Sequence, residues 1–188
     1  MTRLKHIAKI QTGVYLRPSP VADTLYLQVG SFDTNGNIST KCEPSIALDS
    51  EYRNYLLQEN DLLFAAKGTN NFCTIFHSQK YNAVASISFL VIKLTAKDRL
   101  LHKYLCWYLN LQTTLQYLSL QAKGTAIPSI SKATIEELDI PIPSIDKQIK
   151  IVEIAELQKI EEKLYKEIIR KREQLTEYKL KSSINNGN

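Results

Sequence analysis

The sequence contains few side chains whose types and spacing could support catalysis. A metal-dependent nuclease needs two carboxylates and a lysine around a strand. Asp61 and Lys67 supply one carboxylate and the lysine, but alanines occupy the place of the second carboxylate. Ser129 and Lys132 have the Ser-x-x-Lys spacing of an activated serine, without the two motifs that accompany it in penicillin-interacting enzymes. We therefore predict that the chain is not an enzyme.

The sequence also predicts no metal ion and no cofactor bound by this chain. The three histidines are isolated, and no spacing of histidine and cysteine indicates a zinc site. Cys42, Cys73 and Cys106 form neither a CxxC pair nor a disulfide pattern, which favours a reducing cytoplasm. The glycines form neither a P-loop nor the cofactor loop of a methyltransferase, and the Asn/Asp-Pro-Pro motif that holds a flipped base is missing.

The elements that would position these side chains belong to a mixed α/β domain. It ends at 140–143, where two prolines favour extended backbone. An Asn-Gly turn is expected within 33–37. Short runs rich in β-forming residues predict strands at 25–29, 62–66, 73–76 and 87–94.

Two helices are predicted in the later part of this domain. Apolar residues at helical spacing predict a helix over 100–120, with three tyrosines that are expected to serve packing. A short helix is expected after Ser131 or Thr134, because 134–137 has the spacing of a capping box.

A long helix is predicted from Ser144 to about Lys181, because this stretch contains neither proline nor glycine and Ser144 is a natural N-cap. It would extend roughly 50 Å. A domain of about 140 residues cannot cover so long an apolar stripe, so we expect a partner helix. Glu161 and Lys171 fall on the stripe, which makes the heptad pattern imperfect. The stripe consists of Leu157, Leu164, Ile168, Leu175 and Tyr178.

The predicted organisation is therefore an α+β fold: a globular mixed α/β domain over residues 1–143, a long coiled-coil helix over 144–181 and a flexible tail over 182–188. Apolar residues make up 44% of the chain, and no run is long enough for a signal peptide or a membrane span. We therefore expect a cytoplasmic protein. A net charge of +5 is compatible with a polyanionic partner but indicates one only weakly.

Three motifs follow one another between Lys123 and Ile151. They are a Gly-x-x-x-Pro-x-Ile-Ser loop from Gly124 to Ser131, the Ile-Pro-Ile-Pro run at 140–143, and Gln148 near the start of the long helix. Together they resemble the end of a target-recognition domain in the specificity subunit of type I restriction-modification systems. Lys147 departs from the family pattern, which usually has a glutamate before the glutamine.

Two further segments carry the same resemblance. Residues 7–10 followed by Gly13 resemble the opening helix and glycine of the family. Residues 59–63 followed by Lys67-Gly68 resemble its strand and loop. The resemblance therefore extends over nearly the whole chain.

The resemblance implies a half-subunit that acts as a dimer. A complete family member has two recognition domains and two spacer helices, and this chain has one of each. Two copies with antiparallel helices would hold two domains further apart than one duplex turn of about 34 Å. The expected target is bipartite and palindromic. Methyltransferase subunits would bind the helices and supply S-adenosylmethionine; whether a restriction subunit joins is left open.

We predict that double-stranded DNA is contacted by three polar segments, each next to a glycine. The first segment, 67–71, joins two strands and offers a cation and amides that can pair with adenine edges. The second segment, 123–132, offers phosphate contacts. The third segment, 15–17, follows Gly13. The alternative for each is a solvated polar loop. The predicted contact residues are Lys67, Thr69, Asn70 and Asn71 in the first, Lys123, Thr125, Ser129, Ser131 and Lys132 in the second, and Tyr15 and Arg17 in the third.

Two other functions fit the same sequence. One is an adaptor that no longer reads DNA but still binds methyltransferase subunits through its helix. The other is a free-standing enzyme, which the missing motifs make the weakest hypothesis.

Overall fold

The computed structural model describes residues 1–33, 36–124 and 127–185. They form two compact units, Met1–Gln148 and a second unit that begins at Ile149. The mixture of strands and helices and the long C-terminal helix confirm the predicted fold class. The strands are β1 Thr2–Arg3, β2 Ala8–Thr12, β3 Thr24–Leu27, β4 Leu62–Ala65, β5 Cys73–Ile75, β6 Asn82–Ala85, β7 Phe89–Leu94 and β8 Asp139–Ile140. The α-helices are α1 His102–Leu109, α2 Gln112–Leu120, α3 Lys132–Glu136 and α4 Ile145–Asn185, and short 3-10 helices lie at Leu4–His6, Val29–Ser31 and Ser50–Tyr55.

The centre of the first unit is a four-stranded antiparallel sheet in the order β2-β7-β4-β5. Two smaller sheets accompany it: β3 pairs with β6 in parallel, and β1 pairs with β8 in antiparallel orientation. All four residues of β4 are buried, because both faces of the central sheet are covered. The core on one face includes a cluster in which Phe32 and Phe72 pack edge-to-face on Phe89 at centroid distances of 5.5 and 6.1 Å.

The N-terminal segment corrects one expectation. Residues 7–10 were expected to form an opening helix, but Ala8–Thr12 is a strand and only Leu4–His6 is helical, as one 3-10 turn. Ala8 and Ile10 are buried while Lys9 between them is exposed. This alternation suits a strand pairing with β7 and not an α-helix.

The helix expected over 100–120 is not continuous. It is two helices, α1 and α2, separated at Asn110 and Leu111. The side chain of Asn110 accepts a hydrogen bond from the Cys73 N–H at 2.9 Å and donates one to the Cys73 oxygen at 2.7 Å. These bonds fix Asn110 to the edge strand β5, so α1 ends there. Tyr117 was expected to pack, but its side chain is 52% exposed.

The predicted strands are found with altered ends, and β1 and β6 were missed along with β2. The strand expected from Ile87 begins at Phe89, because 86–88 form a turn. Residues 82–85 form β6, which went unrecognised because its two alanines have low strand propensity. The Asn-Gly turn falls partly on residues 34 and 35, outside the described residues.

The second unit consists of helix α4 from Ile149 onward. The five apolar residues of the predicted stripe are each more than half exposed, and Ile160 lies on the same side of the helix. A second exposed stripe lies roughly 120° around the helix at 100° per residue. It contains Ile154, Tyr165, Ile169 and Leu180. Helix α4 continues to Asn185, into the segment that was expected to be a flexible tail.

Candidate nucleic-acid interface

Three loops leave the central sheet at the same end. Thr12 pairs with Leu90, and Ala65 pairs with Phe89. Neighbouring strands are antiparallel, so the segment after β2, the turn before β7 and the segment between β4 and β5 all meet at this end. We call the surface formed by segments 13–17, 66–71, 86–88, 123–124 and 127–129 the loop-end surface.

Two of the three segments predicted to contact DNA, those that contain Gly68 and Gly124, lie side by side on this surface. The Gly68 N–H donates to the Pro128 oxygen at 2.9 Å, and the Ile130 N–H donates to the Ala66 oxygen at 2.9 Å. Lys67 and Lys123 each form an isolated β-bridge with Ser129. The backbone thus brings together two lysines that are 56 positions apart in the sequence.

Glycine is required at both of these segments by backbone geometry. Gly68 has a φ of +90° and Gly124 a φ of +109°, in the left-handed region that other residues rarely adopt. A Cβ on Gly124 would also lie 2.7 Å from the Ile127 oxygen. Thr125, one of the predicted contact residues, lies outside the described residues.

The amide of Asn71 stabilises its own loop. Its nitrogen donates to the Ala65 oxygen at 2.9 Å, so this donor is already engaged, which leaves the DNA contact of Asn71 a prediction. Thr69 and Asn70 are exposed at the tip of the loop, and Lys67 is half-buried at its base.

The segment after β2 is fixed against the turn 86–88. The Val14 N–H donates to the Ala85 oxygen at 3.0 Å, and a Cβ on Gly13 would lie 2.1 Å from the Ser86 oxygen. This close approach explains the glycine. Tyr15 and Arg17 extend from the segment and are exposed.

The turn 86–88 connects the other loops. Its Ser88 oxygen accepts a hydrogen bond from the Ala66 N–H at 2.8 Å. Backbone contacts therefore run without interruption from Val14 through Ser88 and Ala66 to Pro128. Sequence reasoning missed this turn by assigning Ile87 to a strand; the serines on both sides of Ile87 were the available signal.

A cleft of about 890 Å³ opens beside Tyr15 and the turn 86–88. Its other wall consists of residues around Gln28 and around Lys41. Hydroxyl, amide and ammonium groups line it together with the apolar side chain of Ile87, which is 36% exposed. Such a lining can donate to, accept from and contact the methyl groups of base edges.

The remaining predicted residues of the second segment have local partners. Ser131 caps helix α3, because its hydroxyl accepts a hydrogen bond from the Thr134 N–H at 3.0 Å. Lys132 lies 3.5 Å from the Glu136 carboxylate and lines a different cleft, along β2. Their DNA contacts remain predictions.

The two groups that suggested a nuclease lie at opposite ends of β4. Asp61 is buried before its first residue, where it accepts a hydrogen bond from the Gln58 N–H and lies 3.1 Å from the Lys93 ammonium. Lys67 follows the other end, six residues away or about 20 Å along extended backbone. Within the described ranges, no group of three or more His, Cys, Asp or Glu side chains is placed to hold a metal ion. No helix in those ranges is long and apolar enough to cross a bilayer.

Sequence comparison identifies similar proteins. Residues 3–174 match the family model described as the type I restriction modification DNA specificity domain. A curated relative, the specificity subunit of the type I restriction enzyme MjaVIII from Methanocaldococcus jannaschii, is 30% identical over 99 residues. The match covers 53% of this chain and 22% of that protein, so the chain spans about a fifth of the relative's length.

Two solved structures share the fold. The S subunit of a type I restriction-modification system from M. genitalium superimposes with a TM-score of 0.57 and 16% identity, over 83% of this chain and 37% of that one. The HsdS subunit from Thermoanaerobacter tengcongensis superimposes with a TM-score of 0.57 and 16% identity, over 86% of this chain and 37% of that one.

Proposed function

The chain belongs to the family of type I restriction-modification DNA specificity domains, and on this premise we propose that it reads duplex DNA through the loop-end surface. The supporting observation is that three segments, selected from the sequence for their polar and basic residues, are joined by backbone hydrogen bonds at one end of the sheet. Segments that touched unrelated parts of the molecule could not contact one duplex together.

The surface offers two kinds of contact. Lys67, Lys123 and Arg17 supply positive charge for phosphates, which sets affinity and position without reading the sequence. Asn70 at the loop tip and the polar cleft beside Tyr15 supply groups that can read base edges. We propose that the specificity of the chain resides in these latter groups.

We further propose that two copies associate through helix α4. The exposed stripe that contains Leu157 and Leu164 extends along the helix to Tyr178, interrupted by Glu161 and Lys171, and water-exposed apolar side chains of this extent favour burial against another helix. Antiparallel pairing would give two identical recognition domains related by a two-fold axis, and hence a palindromic bipartite target.

Methyltransferase subunits are the proposed further partners. In this proposal they bind S-adenosylmethionine and modify adenine, while the present chain contributes recognition and no catalytic group. The second apolar stripe, which contains Ile154 and Ile169, is the candidate surface for them. A nuclease subunit is not required for this role.

Substitution of the loop tip tests the DNA-reading proposal. Lys67→Ala combined with Asn70→Ala should weaken binding to the recognised duplex by about 1–3 kcal/mol for each well-formed base interaction that it removes. Lys80→Ala, beyond the opposite end of β5, is the matched control. Unchanged affinity and sequence preference in the double variant would instead support the adaptor function.

Co-expression with a methyltransferase subunit identifies the target. Mapping of modified adenines across the genome of the expression host should then give a symmetric bipartite motif. An asymmetric motif would contradict the homodimer, because it requires a different second recognition domain. No chain-dependent methylation would contradict the recognition role.

A further inference from the structure

We propose that a second cleft, which follows strand β2, binds the phosphate backbone of the duplex beyond the loop-end surface. The inference rests on the DNA-reading function proposed above. The cleft has a volume of about 420 Å³. We call it the β2 cleft; its charged lining residues are Lys5, Lys9, Lys93, Lys132 and Glu136.

The β2 cleft contains lysines that repel one another. Lys9 and Lys93 are directly opposite in the register of β2 and β7, an arrangement in which like charges destabilise strand pairing. Asp61 offsets the charge of Lys93 at 3.1 Å. Lys9 has no ion pair with any acidic side chain in the part of the chain that the structure describes. An anion bound in the cleft would relieve this repulsion.

The other two lysines are held only by exposed ion pairs. Lys132 lies 3.5 Å from Glu136, and Lys5 pairs with Glu137, with the lysine side chains 48% and 37% exposed respectively. Exposed pairs of this kind contribute little to stability. Both lysines can therefore turn to phosphate oxygens at small cost.

The β2 cleft and the loop-end surface are joined by the strand itself. Gln11 lines the cleft, and Gly13 begins the loop-end surface. Lys9 and Gly13 are four residues apart, which is about 13 Å along a strand. The phosphates of one strand follow one another every 3.4 Å or so along the duplex axis, so this distance along the axis corresponds to about four nucleotides. A duplex on the loop-end surface whose backbone follows β2 would reach the cleft.

Duplex DNA accounts for the arrangement better than a small anion does. The four lysines that line the cleft come from separate elements, α3, β2, β7 and the turn at Leu4–His6. Several cations on separate elements can contact several phosphates of one polymer, whereas a small anion would engage few of them. Because these interactions are with phosphate, they should change affinity for every sequence equally.

The test is the salt dependence of binding to a fluorescently labelled duplex of mixed sequence. We choose Lys9→Gln and Lys132→Gln, singly and together, because both side chains are exposed and glutamine is polar but uncharged, with a side chain one atom shorter. Lys93 is left intact because its removal would leave the buried Asp61 without a cation. Lys80→Gln is the control, since Lys80 follows β5, the edge strand on the opposite side of the central sheet from β2. Thermal unfolding checks that each variant is folded.

The plot of log K against log salt concentration has a negative slope. Each substitution in the cleft should make this slope less steep by about 0.9 between about 50 and 200 mM salt. The double variant should make it less steep by about twice as much, and Lys80→Gln should leave it unchanged. The ranking of different duplex sequences should stay the same in all variants.

Several outcomes would overturn the inference, and they differ from failure of the proposed function. Wild-type slopes in folded Lys9→Gln and Lys132→Gln variants would overturn the role of the β2 cleft and leave the proposed DNA-reading function intact. The same result with loss of methyltransferase binding would identify the cleft as a protein interface. Wild-type slopes with aggregation would assign the lysines to protection of an edge strand. A wild-type chain that binds no duplex at low salt would overturn both proposals.

Discussion

The side-chain oxygen of Gln148 accepts a hydrogen bond from the Leu101 N–H at 2.9 Å. Its nitrogen donates to the oxygens of Arg99 at 2.7 Å and Pro143 at 2.8 Å. The side chain is fully buried, and the amide, with one acceptor and two donor hydrogens, satisfies all three backbone groups. Gln148 thereby links the start of α1 to the proline segment that precedes α4, which gives a physical reason for a glutamine in this motif.

We predict that Gln148→Ala lowers the free energy of unfolding by about 2–4 kcal/mol, because it removes a buried side chain and leaves three partly buried backbone groups without their partner. Gln148→Glu should be at least as damaging, since a carboxylate cannot donate to the two oxygens. Gln158→Ala on the exposed side of α4 is the control and should change stability by less than about 0.5 kcal/mol. Urea unfolding measures all three; equal effects of Gln148→Ala and Gln158→Ala would contradict the prediction.

The glycines of the loop-end surface should differ in their response to alanine. Gly124→Ala forces an unfavourable φ and places a Cβ 2.7 Å from a backbone oxygen, so a loss of about 2–3 kcal/mol is expected. Gly68→Ala has the strain alone, with no atom within 4 Å of the new Cβ, and should cost about 1–2 kcal/mol.

Gly30→Ala is the matched control for both, because nothing lies within 4 Å of its Cβ and its φ is outside the left-handed region. It should be nearly neutral. Thermal unfolding measures the stability of the three variants. A Gly68→Ala variant less stable than Gly124→Ala would contradict the order.

Disruption of the α4 stripe should separate the proposed dimer. Leu164 and Ile168 are 54% and 51% exposed, so lysine at both positions should leave the chain folded and monomeric. Sedimentation velocity at micromolar concentration measures the change. Substitution of Lys163 and Glu167 by alanine is the control on the same turns of the helix, and it should preserve the dimer. A wild-type chain that sediments as a monomer would contradict the proposed association.

Glu59 predicts a dependence of stability on pH. The Ser78 N–H at 2.6 Å and the His77 ring nitrogen at 2.9 Å lower the pKa of Glu59 from 4.5 to about 2. The lowered pKa means that the carboxylate stabilises the folded chain above pH 4.5, and that this contribution is lost as the pH falls towards 2. The difference in unfolding free energy between wild type and Glu59→Gln should therefore shrink across this range. A difference that stays constant from pH 6 to about 2.5 would contradict the assignment.

The sequence by itself determined the features that depend on local backbone rules. Glycine at a positive φ, proline in extended backbone and apolar spacing along a helix act over a few residues, so Gly68, Gly124 and helix α4 were all recognisable. The family motif between Gly124 and Gln148 also lies in one continuous segment. The fold class followed from the same signals.

Tertiary structure alone decided how these features combine. The hydrogen bond between Gly68 and Pro128 joins residues 60 positions apart, and the bonds of Asn110 to Cys73, which split the expected helix, span 37. Ala8–Thr12 became a strand because β7 offered a partner edge, and Lys132 turned towards the β2 cleft because α3 lies beside that strand. Hydrogen bonds between distant segments depend on how the whole chain folds, so local propensity cannot predict them.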